Sequence, residues 1–269
     1  MNKIKQKELM VNNMRISYCE KITEESEKIT IFLHGWGSNK ESFSKLFPLR
    51  QNFIALDFPA FGKSAKLQNI FTLNDYAVFL DRFLTKITEN NSDKINIECV
   101  VHSFGGRVLL KYLNNTNLNK SVKIRNISII NIICMGVPFY RNVTKMQKFQ
   151  MNFSKLLEKN KYTNSIKNKI KPIFAFLFQD KNSDYNALSG EIMKKTFQNI
   201  VNEDVSIYLD SFAQYEKNLK LIWGENDEAA PLYYAKNVHE KYPESKLCII
   251  PNAGHFPWID SFEKVKKSF

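Results

Sequence analysis

Residues 95–106 read INIECVVHSFGG, and the architecture of the chain can be inferred outward from this segment. The apolar run that ends at Val101 predicts a buried β-strand, and apolar residues then recur at helical spacing between Val108 and Leu113. Ser103 therefore stands at a sharp turn from a strand to a helix. Gly105, two positions later, allows a bend tight enough to hold the serine hydroxyl clear of a sheet. We predict that Ser103 is a nucleophile.

This segment also leaves an alternative open. Val101 occupies a position where such turns usually have glycine, so the turn must find room for the valine side chain. A serine in front of a helix can also be an ordinary N-cap, whose hydroxyl accepts a hydrogen bond from the first turn. The choice depends on whether partners for a nucleophile occur elsewhere in the chain.

The other apolar runs predict an α/β fold with a mostly parallel central sheet flanked by helices. The runs alternate with amphipathic helical segments, and their nearly continuous apolar character is typical of strands covered on both faces. Thr72 and Asp75 predict a capping box at the start of one helix. Asn12 and Asn13 predict the turn of an N-terminal hairpin, since asparagine tolerates the left-handed conformation. The runs are Thr30 to His34, Asn52 to Asp57, Ile95 to His102, Asn126 to Met135, Leu219 to Gly224 and Lys246 to Pro251.

One long segment interrupts this alternation. Residues 137–218 contain no convincing strand, which predicts a helical cap inserted into a core formed by residues 1–136 and 219–269. The cap is rich in apolar side chains, as expected for the roof of a pocket that accepts an apolar acyl chain, although most of them would pack between the cap helices. They are Met146, Phe149, Met151, Phe153, Leu156, Leu157, Ile173, Phe174, Phe176, Leu177 and Phe178.

A base and an acid for Ser103 are predicted after the last two strands. His255, in NAGHFPW, is a loop imidazole that can accept a proton near pH 7. Asp227, in GENDEAAP, can accept the second N–H of that imidazole, although Glu225 and Glu228 are rival carboxylates. The order Ser, Asp, His on three successive loops favours a catalytic triad of Ser103, Asp227 and His255 over three unrelated polar residues.

An oxyanion hole is predicted from backbone N–H groups. One donor is the N–H of Phe104, which follows the nucleophile at the start of the helix. The other is the N–H of Trp36 in the loop HGWG, where Gly35 and Gly37 let the backbone approach a substrate. We expect His34 to orient this loop as a structural residue, and His102 to point away from the pocket.

The composition is that of an ordinary globular protein. The 269 residues are 43% hydrophobic and 25% charged, and the four cysteines lie far apart, which predicts neither a disulfide framework nor a metal site. We found no signal peptide and no membrane-spanning run, so we expect a cytoplasmic protein without membrane insertion. The net charge of +12 leaves polyanion binding open, but 33 of the 39 basic residues are lysine, and no motif for specific nucleic-acid recognition accompanies them.

The motifs together resemble those of the α/β-hydrolase superfamily. They occur in the family's order: HGWG from His34, DFPAFGKS from Asp57, VHSFGG from Val101, GENDEAAP from Gly224 and AGHF from Ala253. The loops from His34 and Asp57 are similar to those of the carboxylesterase branch that includes the pimeloyl-acyl-carrier-protein methyl ester carboxylesterase. Ala60 departs from the pattern, because the family usually has glycine there. Ser103 is unlike the aspartate nucleophile of dehalogenases and epoxide hydrolases, and HGWGSN is unlike the HGGPG of proline iminopeptidases.

The resemblance implies hydrolysis of a small-molecule carboxylic ester without a metal or an organic cofactor. Lactone, thioester and carbon–carbon bond hydrolases and perhydrolases use the same triad, so they stay open, as does a ligand-binding scaffold with a silent triad. Residues 141–171 carry nine basic side chains and one acidic side chain, Glu158. This cap segment either docks an acidic acyl carrier protein, as the resemblance suggests, or is a solvated lysine face.

Overall fold

A computed structural model describes residues 3–23, 28–89, 94–118, 127–141 and 190–269 of the chain. The strands are β1 (Lys5–Val11), β2 (Met14–Lys21), β3 (Lys28–Leu33), β4 (Phe53–Leu56), β5 (Ile95–His102), β6 (Ile127–Met135), β7 (Leu219–Gly224) and β8 (Lys246–Ile250). The α-helices are α1 (Leu73–Thr88), α2 (Phe104–Leu118), α3 (Glu191–Asn202), α4 (Tyr233–Lys241), α5 (Pro257–Asp260) and α6 (Phe262–Ser268). Turns of 3₁₀ helix cover Lys40–Phe43, Phe47–Leu49 and Val205–Asn218.

The eight strands form one sheet in the order β1-β2-β4-β3-β5-β6-β7-β8. The pairs β1–β2 and β2–β4 are antiparallel, and every pair from β4 to β8 is parallel. The predicted α/β fold with a mostly parallel sheet flanked by helices is therefore confirmed. Because parallel strands run in the same direction, the loops after β3, β5, β6, β7 and β8 all lie at the carboxyl ends of the strands.

Two local predictions about the backbone are confirmed. Asn12 and Asn13 adopt φ of 51° and 61° and join Val11 to its pairing partner Met14, as in a two-residue hairpin turn. Thr72 accepts a hydrogen bond from Asp75 N while the Asp75 carboxylate accepts one from Thr72 N, which completes the capping box of α1.

The core consists of two apolar layers, one on each face of the sheet. Alternate residues of β5 enter different layers, since successive side chains of a strand point to opposite faces. Cys99 and Val101 belong to the layer that contains side chains of α1, α2 and α4, whereas Val100 belongs to the layer that contains Trp258 of α5 and Val265 of α6. Both faces of the central strands are thus covered, which explains their continuous apolar sequence.

The predicted cap is described only at its two ends. Within residues 137–141 and 190–218 the structure has α3 and the 3₁₀ turns but no strand. Val205, Leu209 and Phe212 of these turns are buried in the same layer as α2. The apolar and basic side chains between Asn142 and Ser189 on which the cap prediction depends lie outside the described residues, so the division into core and cap stays a prediction.

No helix in the described ranges combines the length and the apolar character needed to cross a membrane.

Candidate active site

Ser103 lies in a strained turn between β5 and α2. Its φ is 48°, in the left-handed region that side-chain-bearing residues rarely adopt, and its N–H donates to Met135 O at 3.0 Å. A Cβ on Gly105 would come within 2.2 Å of Leu33 O, so the start of α2 packs against the end of β3 too closely for any larger residue. The side chain of Val101 finds its room in the buried layer that contains α2. The backbone is thus bent as a nucleophile turn requires.

Asp227 and His255 are hydrogen-bonded to each other. The Nδ1 of His255 lies 2.9 Å from Asp227 Oδ2 and 3.0 Å from Oδ1. Asp227 is buried and also accepts a hydrogen bond from Ala230 N at 2.8 Å, while the His255 side chain is 21% exposed. Of the three rival carboxylates, Glu228 is exposed and Glu225 accepts a hydrogen bond from Asn252 N, so Asp227 alone is bonded to His255.

Gly136, directly after β6, lets Asp227 and His255 approach the turn that carries Ser103. It follows Met135, whose carbonyl holds the backbone of Ser103, and it adopts φ of 54°. A Cβ at this position would lie 2.9 Å from His255 Nδ1 and 3.1 Å from Asp227 Oδ2. Ser103 and His255 themselves share no hydrogen bond, although both lie within the described residues. Such contacts are often long in a protein without substrate and tighten on binding.

The HGWG loop lies beside Ser103. A Cβ on Gly35 would be 3.3 Å from the Cβ of Ser103, and Gly37 adopts φ of 70° in a turn closed by the hydrogen bond from Ser38 N to Gly35 O. In the part of the chain that the structure describes, neither the Trp36 nor the Phe104 backbone N–H has an acceptor. Both groups therefore remain available to bind an oxyanion.

His34 is buried beneath this loop, with a hydrogen bond at each ring nitrogen. Its Nδ1 lies 2.7 Å from Gly35 O, and its Nε2 accepts a hydrogen bond from Phe58 N at 3.0 Å. Since a carbonyl can only accept, the proton is on Nδ1. Burial lowers the pKa of His34 to about 4, so the ring is neutral near pH 7. His34 connects the loop after β3 to the loop after β4.

Asp57 and Lys40 form a buried ion pair that joins the same two loops, and sequence reasoning missed it. Lys40 Nζ lies 2.7 Å from Asp57 Oδ2, and the Lys40 and Lys63 backbone N–H groups donate to the same carboxylate at 2.7 and 2.9 Å. Gly62, at φ of 54°, leaves the space for this carboxylate, which a Cβ would approach to 2.3 Å. The aspartate of the DFP motif was the available signal. Nothing in the sequence points to Lys40.

Aromatic rings form an apolar wall around Trp36. Its indole lies 4.9 Å from the ring of Phe61, 5.3 Å from Phe104 and 5.1 Å from Phe197 of α3, centroid to centroid. The indole Nε1 is buried and has no hydrogen-bond partner. A residue of α3 thus covers the loop that carries a predicted oxyanion donor, as an apolar substrate site would require.

His102, which we expected to point away from the pocket, is fully buried against the ring of His255. Its ring centroid lies 4.5 Å from that of His255, 4.7 Å from Phe256 and 4.8 Å from Trp258. Its Nε2 lies 3.0 Å from the backbone oxygen of His255. The apolar residues after His255 were visible in the sequence, but no pattern indicated that they surround His102.

The arrangement as a whole contains the groups that acyl transfer requires. It combines a hydroxyl on a strained turn, an imidazole fixed by a buried carboxylate, and two backbone N–H groups without acceptors. Among the described residues, no three histidine, cysteine, aspartate or glutamate side chains converge in a group that could hold a metal ion.

Comparison with known proteins gives concordant matches. The family model described as the alpha/beta hydrolase fold matches residues 30–262. An uncharacterized hydrolase, YugF of Bacillus subtilis (strain 168), is 25% identical over 88% of this chain and 87% of its own length. Lipase 1 of Psychrobacter immobilis is 21% identical over 89% of this chain and 74% of its own length. The solved structure of an esterase from Exiguobacterium antarcticum superposes with a TM-score of 0.63 at 19% identity, covering 99% of this chain and 97% of that one.

Proposed function

Because the chain belongs to the alpha/beta hydrolase fold family, we propose that it is a serine hydrolase that cleaves carboxylic esters of small to medium acyl groups. The observation that carries this proposal is the 2.9 Å hydrogen bond between His255 Nδ1 and Asp227 Oδ2. It lies at the carboxyl ends of the parallel strands, where Ser103 occupies a turn with positive φ. The relatives named a lipase and an esterase agree with ester hydrolysis.

In the proposed mechanism the Ser103 hydroxyl attacks the ester carbonyl carbon. His255 Nε2 accepts the hydroxyl proton, and Asp227 stabilises the imidazolium through the Nδ1–H bond. The negative charge that develops on the carbonyl oxygen is bound by the N–H groups of Trp36 and Phe104, each worth about 3 kcal/mol of transition-state stabilisation.

The tetrahedral intermediate then collapses and the bond to the alcohol breaks. His255 gives its proton to the departing alkoxide oxygen, which leaves Ser103 as an acyl ester. A water molecule takes the place of the alcohol, loses a proton to His255 and attacks the acyl carbon. The acid departs and Ser103 regains its proton. The same machinery acts on lactones and thioesters, so the ester is the substrate class to test first.

The test is hydrolysis of p-nitrophenyl esters, from acetate to palmitate, by the wild type, Ser103→Ala and Asp227→Asn. We expect Ser103→Ala to be inactive and Asp227→Asn to lose about 10⁴-fold in kcat, because asparagine stabilises the wrong imidazole tautomer. Glu228→Gln is the matched control, since that exposed carboxylate is one residue away and should not matter. Equal rates in the wild type and Ser103→Ala would disprove the assignment of the nucleophile.

If no ester is cleaved, a serine-directed phosphonate distinguishes a hydrolase with another substrate from a ligand-binding scaffold. Stoichiometric labelling of Ser103 would support an activated nucleophile with another substrate, such as a lactone or a carbon–carbon bond substrate. No labelling would leave the ligand-binding scaffold with a silent triad.

A finer proposal concerns an acyl carrier protein as the donor of the ester. It is supported by the resemblance to the pimeloyl ester carboxylesterase and by the nine basic residues in the segment 141–171, which lies outside the described residues except for Arg141. Charge reversal of Lys155, Lys159 and Lys161 should slow hydrolysis of a carrier-protein ester and spare p-nitrophenyl esters. Reversal of Lys264, Lys266 and Lys267 on α6 is the control. Equal rates on the carrier-protein ester would rule out docking on the cap.

A further inference from the structure

His102 contacts three parts of the candidate site at once. It is the last residue of β5, directly before Ser103, and its ring packs against His255. Its Nε2 lies 3.0 Å from His255 O. On the other side of the ring, a Cβ on Gly35 would lie 2.7 Å from Nδ1. One buried imidazole therefore separates the loop of the proposed base from the HGWG loop.

The contacts of His102 determine its tautomer. The oxygen of His255 can only accept, so Nε2 carries the proton and donates it. Nδ1 is then an acceptor in the neutral ring, and it is buried without a hydrogen-bond partner. Burial, followed by the proximity of His255, lowers the pKa of His102 well below the usual range. The ring is therefore neutral and fixed in one tautomer.

We propose that His102 is a positioning residue that fixes the backbone of His255 relative to Ser103. This inference rests on the proposed function, because it assigns His255 as the base. His255 follows β8 in a loop, and Asp227 holds only its imidazole. The hydrogen bond from His102 Nε2 holds the backbone carbonyl of His255. The residue before His255 is held as well, since Gly254 N donates to Asp260 Oδ2 at 2.8 Å. Since His102 is adjacent to Ser103, its bond sets the distance between the nucleophile strand and the base loop.

The neutrality of His102 matters for the same reason. During the reaction His255 becomes an imidazolium, and a positive ring 4.5 Å away would oppose that charge. A buried ring that stays neutral provides the N–H bond to the His255 carbonyl without that repulsion. This explains why a histidine that could compete as a base lies against the proposed base without replacing it.

Two substitutions separate the hydrogen bond from the packing. His102→Phe keeps a ring of similar size but removes the N–H donor, and His102→Gln offers an amide N–H at a reach similar to that of Nε2. We expect His102→Phe to lower kcat by about 10- to 100-fold, with KM within about twofold, because a small displacement of the base affects the chemical step. His102→Gln should recover most of kcat.

Measurement of kcat, KM and the pH dependence of kcat/KM for both variants tests the inference. A shifted acid limb in His102→Phe, restored in His102→Gln, is the result expected of a residue that acts through His255. Wild-type kcat in His102→Phe, or equal losses in both variants, would overturn it. His239→Phe is the matched control, since that ring lies on α4 and bonds to Ser245 Oγ at 2.9 Å.

A second measurement does not depend on activity. The chain has only four histidines, so a long-range ¹H–¹⁵N spectrum of the ring nitrogens can be assigned by single substitutions. His102 should be protonated at Nε2 alone from pH 6 to 8, and His255 ring signals should shift in His102→Phe more than in His102→Gln. A proton on His102 Nδ1, or unchanged His255 signals, would overturn the inference. If the wild type cleaves no ester and Ser103 is not labelled, the proposed function fails, whereas this spectrum still decides whether His102 holds His255.

Discussion

Gly136 illustrates how strictly single positions of the candidate site are determined. Glycine adopts its φ of 54° without strain, and a methyl group there would lie within about 3 Å of the His255 ring and the Asp227 carboxylate. In the sequence, Gly136 directly follows the apolar run from Asn126 to Met135, which is a predicted strand. The sequence did not identify Asp227 and His255 as the groups that need the space, since that contact joins three distant segments.

Ala60 is a position where the backbone is strained without glycine. It adopts φ of 77° in the loop after β4, where the related motif usually has glycine. We expect Ala60→Gly to raise the free energy of unfolding by about 0.5–1 kcal/mol, because relief of the left-handed strain exceeds the added entropy of the unfolded chain. Urea denaturation of both proteins measures this difference.

The control for Ala60 is a residue with an ordinary backbone in the same region. Ala55 of β4 is buried and does not adopt positive φ, so Ala55→Gly should destabilise the protein. A loss of stability in Ala60→Gly comparable to that in Ala55→Gly would contradict the strain argument.

At the residue scale, contacts between neighbours in the sequence were predictable, and contacts between distant segments were not. Asn12 and Asn13 and the Thr72–Asp75 capping box were predictable, because their hydrogen bonds form between near neighbours in the chain. The bond from His102 to His255 spans 153 positions, and the buried Lys40–Asp57 pair joins two loops. Such contacts depend on how strands are arranged in the sheet, which local patterns do not specify.

At the scale of elements, Arg107 joins α2 to α3. Its buried guanidinium donates to Pro138 O at 2.8 Å and to Ile200 O at 2.7 Å, and also to the carbonyl of Glu203. Ile200 lies in the last turn of α3 and Glu203 follows its last residue. Backbone carbonyls at a helix end have no partner within the helix, so Arg107 supplies one. Burial lowers the pKa of Arg107 to about 10, so it still carries its charge near pH 7.

We expect Arg107→Met to loosen α3 and weaken substrate binding. Phe197 of α3 contacts Trp36, so displacement of the helix would open the aromatic wall beside the HGWG loop. KM for p-nitrophenyl esters should rise about five- to tenfold while kcat changes less than about twofold. The free energy of unfolding should fall by about 2–3 kcal/mol, since carbonyls bound by a charged donor lose their partner.

Arg82→Met provides the comparison for this element-scale prediction. Arg82 lies on α1 and donates to Asn12 Oδ1 at an exposed site, so its loss should leave KM unchanged. If Arg107→Met lowered kcat and left KM as in the wild type, the role assigned to α3 would be wrong.

The order of strands was only partly predictable from the sequence. Apolar runs located every strand of the parallel part to within about two residues, because hydrophobic periodicity is set by burial. The pairing of β3 with both β4 and β5 was not derivable from those runs. Of the predicted cap, the elements between Asn142 and Ser189 lie outside the described residues, and their prediction stays untested.

At the scale of the whole molecule, buried neutral histidines make stability depend on pH. Unfolding exposes His34, and its pKa rises from about 4 to the 6.5 of an ordinary exposed histidine. Below pH 6.5 the unfolded chain therefore binds more protons than the folded chain, so stability falls as pH decreases. The loss from His34 between pH 7 and pH 5 is about 2 kcal/mol, and His102, whose pKa is also lowered, adds to it.

Urea denaturation at half-unit intervals from pH 7.5 to 5 tests this dependence. His34→Gln should reduce the slope of unfolding free energy against pH by up to about 1.4 kcal/mol per pH unit, whatever its effect on stability at pH 7. A slope that is the same in His34→Gln and the wild type would mean that His34 does not carry the expected proton linkage.

The position of β7 and β8 at one end of the sheet has a consequence for the protein during its synthesis. The strands up to β6, with Ser103 between β5 and α2, leave the ribosome before β7 and β8, which precede Asp227 and His255 in the chain. A nascent chain that ends before β7 therefore has Ser103 without Asp227 and His255, and β6 is then an edge strand, because its partner β7 has not yet emerged. Completion of the candidate site and protection of that strand edge from aggregation thus depend on the same late event.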